Sequence, residues 1–167
     1  MPGLAATLNS LGILLKANSE MAQAKALYEE ALEIRRTLAE KNPGVYLPDV
    51  AVTLNNLGIL LRANNEMARA KAYHEEALEI RRSLAKKNPD AYLQDIAATL
   101  NNLGVLLNDN NEDAQAKALF EEALSIKRTL AEKNSDAYLS DLAVTLNNLG
   151  VIMKENNEMA QAKAFYK

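Results

Sequence analysis

The strongest constraint on this chain is a period. The segment TLNNLG occurs at 53–58, 99–104 and 145–150, and a variant, TLNSLG, at 7–12. Thr7, Thr53, Thr99 and Thr145 are 46 residues apart each time (53−7, 99−53, 145−99). Gly12, Gly58, Gly104 and Gly150 keep this register, as do Ala31, Ala77 and Ala123. Self-similarity at such a length belongs to architectures whose units bury their apolar faces only against neighbouring units. Units at 5–50, 51–96, 97–142 and 143–167 give three full repeats and one partial repeat. No linker or shift in composition separates them, so residues 1–167 are expected to form one solenoid domain.

Each unit reads as two helices. In LPDVAVTLNNLGILLRANN, the residues Val50, Leu54, Leu57 and Leu61 follow the spacing of one helical face. Asp49, Asp95 and Asp141 stand near the expected start of this helix, where a carboxylate favours the positive end of the helix dipole. Pro48 is expected to limit how far upstream the first of these helices runs. In EMARAKAYHEEALEIRRSLAKKN, the residues Ala70, Tyr73, His74, Ala77, Ile80 and Leu84 gather on one side. Between the helices lie Asn64-Asn65, Asn110-Asn111 and Asn156-Asn157, and asparagine tolerates the left-handed backbone of a tight corner. KNPD ends the second helix, since the residue before Pro89 disfavours the helical region. The expected lengths are about 17 residues for the first helix and about 22 for the second.

A glycine inside a helix costs about 1 kcal/mol relative to alanine. Its presence at Gly12, Gly58, Gly104 and Gly150 implies that the paired helices come too close there for a side chain. Tyr28, His74, Phe120 and Tyr166 share one slot, so the sole histidine, His74, reads as a packing ring. Tyr46, Tyr92 and Tyr138 recur at the inter-repeat turn and are expected to wedge successive units.

The stretch LNNLGILLRANNEMARAKAYHEEALEI (54–80) resembles a tetratricopeptide repeat. Leu54, Leu57, Gly58, Leu61, Ala70, His74 and Ala77 fall where that family has its packing residues. The Leu-Asn-Asn-Leu opening and the YEEALEIRRTLAEKN ending are most similar to the longer repeats of kinesin light chains and of bacterial and archaeal arrays. The resemblance implies an all-α fold: a right-handed superhelical α-solenoid of antiparallel helix pairs, with first helices lining a concave surface. It also implies a protein-interaction module rather than an enzyme. The usual unit has roughly 34 residues. The excess here is expected to lengthen the second helix and the approach to the next first helix.

On the first helix, Leu54, Leu57, Gly58 and Leu61 face the packing side, while Asn55, Ile59 and Arg62 face away and Asn56 sits on the shoulder. Asn9, Asn55, Asn101 and Asn147 would form a ladder on the concave surface, flanked by Ser10, Asn56, Asn102 and Asn148. Ile13, Ile59, Val105 and Val151 run beside it as an aliphatic stripe. An amide offers two donors and an acceptor, so this ladder can pair with the backbone of an extended peptide. The expected peptide-binding residues are therefore Asn9, Asn55, Asn101, Asn147, Asn56, Asn102, Asn148, Ile59, Val105 and Arg62. An asparagine here could instead bond a neighbouring helix and hold the stack together, and for the Asn56 slot both roles stand open. Relatives that clamp a terminal carboxylate use lysines where this chain has Asn9 and Ile13, so that clamp is not expected.

Composition narrows the alternatives. The net charge of −3 provides no basic footprint for nucleic acid or acidic membranes. No apolar run approaches the roughly 20 residues of a membrane span, and MPGLAATLNS has no signal-peptide pattern. Cysteine is absent. With no recurring histidine, phosphate loop or metal-ligand spacing, no cofactor or metal is expected. Glu29-Glu30, Glu75-Glu76 and Glu121-Glu122 diverge around the helix and read as a solvated face. The partner expected is a protein or peptide, in a cytoplasmic setting. A structural spacer or self-associating array is the alternative, with RNA binding behind it. Leu4-Ala5 and Lys167 lie inside helices, so uncapped terminal repeats are expected to associate end to end.

Overall fold

A computed structural model of the chain describes residues 1–133 and 135–155. The described residues are all-α, in seven helices: α1 (Pro2–Ala17), α2 (Met21–Lys41), α3 (Pro43–Ala63), α4 (Met67–Ala85), α5 (Pro89–Asp109), α6 (Asp113–Lys133) and α7 (Ser135–Glu155). Two compact units arise, Met1–Lys87 with α1 to α4, and Asn88 onward with α5 to α7. In each, consecutive helices pack as antiparallel neighbours.

The corners follow from the asparagines. Asn65 and Asn111 hold φ of 61° and 59°, and Ser19 takes the same position with φ 64°. The next residue closes the corner, as Glu20, Glu66 and Glu112 donate their backbone N–H to the carbonyls of Leu15, Leu61 and Leu107, each at 2.8 Å. This is the bond that satisfies a helix end when the residue after the cap is left-handed. A serine pays more than asparagine for that conformation. Ser19→Gly is expected to raise stability by about 0.5–1 kcal/mol, read as a higher urea midpoint at unchanged slope. Asn156-Asn157 lie outside the described residues.

The first helices start earlier than the sequence suggested. Pro43 and Pro89 occupy the opening position of α3 and α5, where a missing N–H costs nothing. These helices have 21 residues each, against 19 and 21 for α4 and α6. With α2 also at 21 residues, the added length of the repeat is therefore shared by both helices rather than confined to the second. Pro48 does not stop α3; it lies inside the helix, which gives up one backbone hydrogen bond there. Asp49, Asp95 and Asp141 consequently sit well inside their helices, away from the positive end, and Asp90 is the acid in the first turn of α5. A single residue, Asn42 (φ −146°, ψ 79°), joins α2 to α3.

Leu54, Leu57, Leu60, Tyr28, Leu32 and Ala77 form one buried cluster in the first unit. Tyr46 packs on its margin from within α3, rather than from a turn. By length and composition α3 is the one described helix able to cross a membrane, but it is the core helix here, packed between α2 and α4. In the second unit Leu100, Leu106, Phe120, Leu149, Ile152 and Met153 are buried.

Candidate first-helix interaction face

The orientation of each first helix is fixed by its glycine. A Cβ built on Gly12 would lie 2.7 Å from the Tyr28 ring, on Gly58 2.6 Å from the His74 ring, and on Gly104 2.7 Å from the Phe120 ring. All three distances are shorter than side-chain packing allows, so the ring of the second helix lies directly on the glycine backbone. The close approach expected from the sequence is present in all three described repeats; the partner slot of Gly150, Tyr166, lies outside the described residues.

His74 is fully buried, and neither ring nitrogen has a hydrogen-bond partner. Burial, reinforced by Arg62 and Arg81, lowers its pKa to about 4. At neutral pH it is an uncharged packing ring.

With the helices set in this way, the asparagines turn toward one another between repeats. Asn56 Nδ2 donates to Asn9 Oδ1 at 3.3 Å, which joins α3 to α1. In the second unit Asn148 Nδ2 donates to Asn101 Oδ1 at 3.1 Å, and the Thr145 hydroxyl donates to the same oxygen at 3.4 Å. The two slots of the motif are thus the two halves of one inter-repeat bond. Each bond uses one N–H and one carbonyl oxygen, leaving the first asparagine its N–H groups and the second its oxygen. Asn9 is buried, Asn55, Asn56, Asn101, Asn102 and Asn148 are half-buried, and Asn147 is exposed. Ile59, Val105 and Arg62 are half-buried, whereas Ile13 and Val151 are exposed.

The threonine of TLNNLG has a separate role that sequence reasoning missed. Thr53 and Thr145 are fully buried. Arg35, on α2, donates to the Thr53 hydroxyl and, at 3.1 Å, to the backbone carbonyl of Asp49. Lys127, on α6, donates to Thr145 Oγ1 at 2.8 Å and to the Asp141 carbonyl at 2.9 Å. In this way α2 is tied to α3, and α6 to α7, by a buried cation. Desolvation lowers the pKa of both cations, and the Asp49 and Asp141 carboxylates partly offset this. The available signal was the 18-residue offset from Arg35 to Thr53 and from Lys127 to Thr145.

The second helices of the first unit present a different surface. Arg36 pairs with Glu76 at 2.6 Å, Arg69 with Glu29 at 3.0 Å, and Lys25 with Glu66 at 2.7 Å. All three pairs bridge α2 to α4 or to the residue before it, Glu66. The two involving arginine are well exposed, where such pairs contribute little. Of the paired glutamates of the sequence, Glu29 and Glu76 take part in this cross-repeat pattern. Among the described residues no three acidic, histidine or cysteine groups converge on a metal-sized site.

Residues 3–83 match a sequence model of the family described as Tetratricopeptide repeat, and residues 96–135 match a second model with the same description. No curated protein matches the chain. Among solved structures it is similar to BtubC (BKLC) from P. vanneervenii, with 29% identity and a TM-score of 0.82. That likeness covers 99% of this chain, which spans 61% of the length of the BtubC chain.

Proposed function

Since the chain belongs to the tetratricopeptide-repeat family, whose members mediate protein–protein interaction or scaffolding, we propose that its first-helix faces bind an extended segment of a partner protein. The observation that carries this reading is the recurrence of linked asparagine amides, Asn9 with Asn56 and Asn101 with Asn148, beside the aliphatic Ile59 and Val105. Linked amides with spare N–H and C=O groups are rigid, and they pair with a peptide backbone without choosing its side chains. The neighbouring aliphatic side chains add apolar area for the segment's own side chains to cover. Arg62 adds a positive charge at the end of α3.

The test starts from a peptide-library pull-down with the intact chain. For a ligand so found, Asn55→Ala combined with Asn101→Ala should weaken binding by ~1–3 kcal/mol, the range for losing hydrogen bonds that a buried partner needs, with helicity unchanged by circular dichroism. Unchanged affinity in the folded double variant would sink the peptide reading.

One observation favours a second reading, a structural spacer: the same amides already bond repeat to repeat. If that is their whole purpose, Asn56→Ala with Asn148→Ala will lower the melting temperature and the library will return no ligand.

A further inference from the structure

The last turn of α5 departs from those of the other first helices. α1, α3 and α7 each carry a cation there, Lys16, Arg62 and Lys154, which complements the negative end of the helix dipole. α5 carries none. Asn108 stands in that slot, and an exposed acid, Asp109, follows it. The end of α5 is thus left negative.

Asn108 also closes a stripe that begins at Asn101 and passes through Val105, at helical spacing on one face. The Asn101 oxygen already accepts from Asn148 and from Thr145, so its N–H groups are what it offers a ligand. Val105 is half-buried and presents aliphatic surface. The Asn108 oxygen is buried and, among the described residues, receives no donor, which is unfavourable for an acceptor. Since Asn108 is half-buried and this oxygen makes no bond, its amide can turn the oxygen toward the open side without breaking one. The stripe therefore runs donor, apolar, acceptor over two helical turns, about 10 Å.

We propose that the second unit selects a lysine or arginine of the bound segment, an inference that rests on the first-helix faces binding an extended segment. The backbone carbonyl of that residue accepts from Asn101 Nδ2. Its methylene stem lies on Val105, and its charged head donates to Asn108 Oδ1 at the negative end of the helix. A glutamate there would bring an acceptor to an acceptor, beside Asp109. A norleucine would cover Val105 and leave the Asn108 oxygen unmet.

The probes are three pools of fluorescent nonapeptides whose central residue is lysine, norleucine or glutamate, the other positions being random among uncharged residues. Each is titrated into the intact chain by anisotropy. The lysine pool should bind about tenfold more tightly than the norleucine pool, and the glutamate pool most weakly. Asn108→Leu, which keeps the net charge and so any general attraction of cations, should bring the lysine pool down to the norleucine pool. Asn108→Asp should widen the gap between them, with both variants folded by circular dichroism. Equal binding of the lysine and norleucine pools, tighter binding of the glutamate pool, or a lysine preference that survives Asn108→Leu overturns this inference while peptide binding stands. No binding by any pool overturns the peptide reading, and this inference with it.

Discussion

Acidifying the protein from pH 7 to pH 4 is expected to remove roughly 3 kcal/mol of stability from the first unit, and His74→Phe to abolish that loss. In the folded chain His74 titrates near 4, below the 6.5 of an unstrained imidazole. The unfolded chain therefore takes up its proton first. Stability is complete above pH 6.5, falls as the pH drops toward 4, and stops falling from this source below that. The cause is geometric. The ring lies on the backbone of Gly58 with both nitrogens unpartnered, and the charges acting on it, Arg62 on α3 and Arg81 on α4, repel a proton. Tyr28 and Phe120 fill the same slot, so phenylalanine is a shape the repeat already accepts. It should also raise stability at pH 7 by ~1–3 kcal/mol, by removing two unsatisfied buried nitrogens. Urea melts of both proteins between pH 7 and 4 decide the matter. Parallel acid losses in the two would show that surface carboxylates such as Glu66, and not His74, govern acid sensitivity.

The second large effect lies at Gly104. Phe120→Ala should cost about 3–5 kcal/mol, as expected for emptying a fully buried ring site. Gly104→Ala alone should also destabilise, since its methyl would meet the Phe120 ring at 2.7 Å and overpacking outweighs the gain in helix propensity. In the Phe120→Ala background the sign should reverse. The methyl then enters vacated space, and alanine contributes its better propensity of about 1 kcal/mol. A double-mutant cycle by urea denaturation measures this coupling. Additive losses would mean that Gly104 is set by something other than the ring.

Much of this was legible in the sequence because it depends on identity at a fixed separation. Gly12 and Tyr28, Gly58 and His74, and Gly104 and Phe120 repeat the same offset, and a glycine in a helix needs a neighbour to explain it. The left-handed corners at Asn65 and Asn111 were legible for the same reason. The Thr53–Arg35 tie was not. Arg35 lies in EIRRTLAEK, a run that reads as solvated, and only the packing of α2 on α3 turns this one cation inward. The start of α3 was misplaced because Pro48 was read as a barrier, whereas Pro43 already opens the helix upstream. The asparagine pairing stayed open because it depends on how neighbouring first helices are set, which the period does not encode. The structure resolves it within each unit, where the residue of one slot meets the residue of the other.

The asparagine bonds, the Arg35–Thr53 and Lys127–Thr145 ties and the ion pairs described above each join one period to a neighbouring one. Excising residues 43–88 would therefore join Asn42 directly to Pro89, leave Arg35 again 18 residues before a threonine, now Thr99, and bring Asn102 to the place where Asn56 met Asn9. Unequal exchange between the repeated segments would shorten or extend such a chain by whole periods without leaving a mismatched seam. A change of whole 46-residue periods leaves the junction at Asn42 as it is, while an insertion of another size at that point would push apart two helices that a single residue joins.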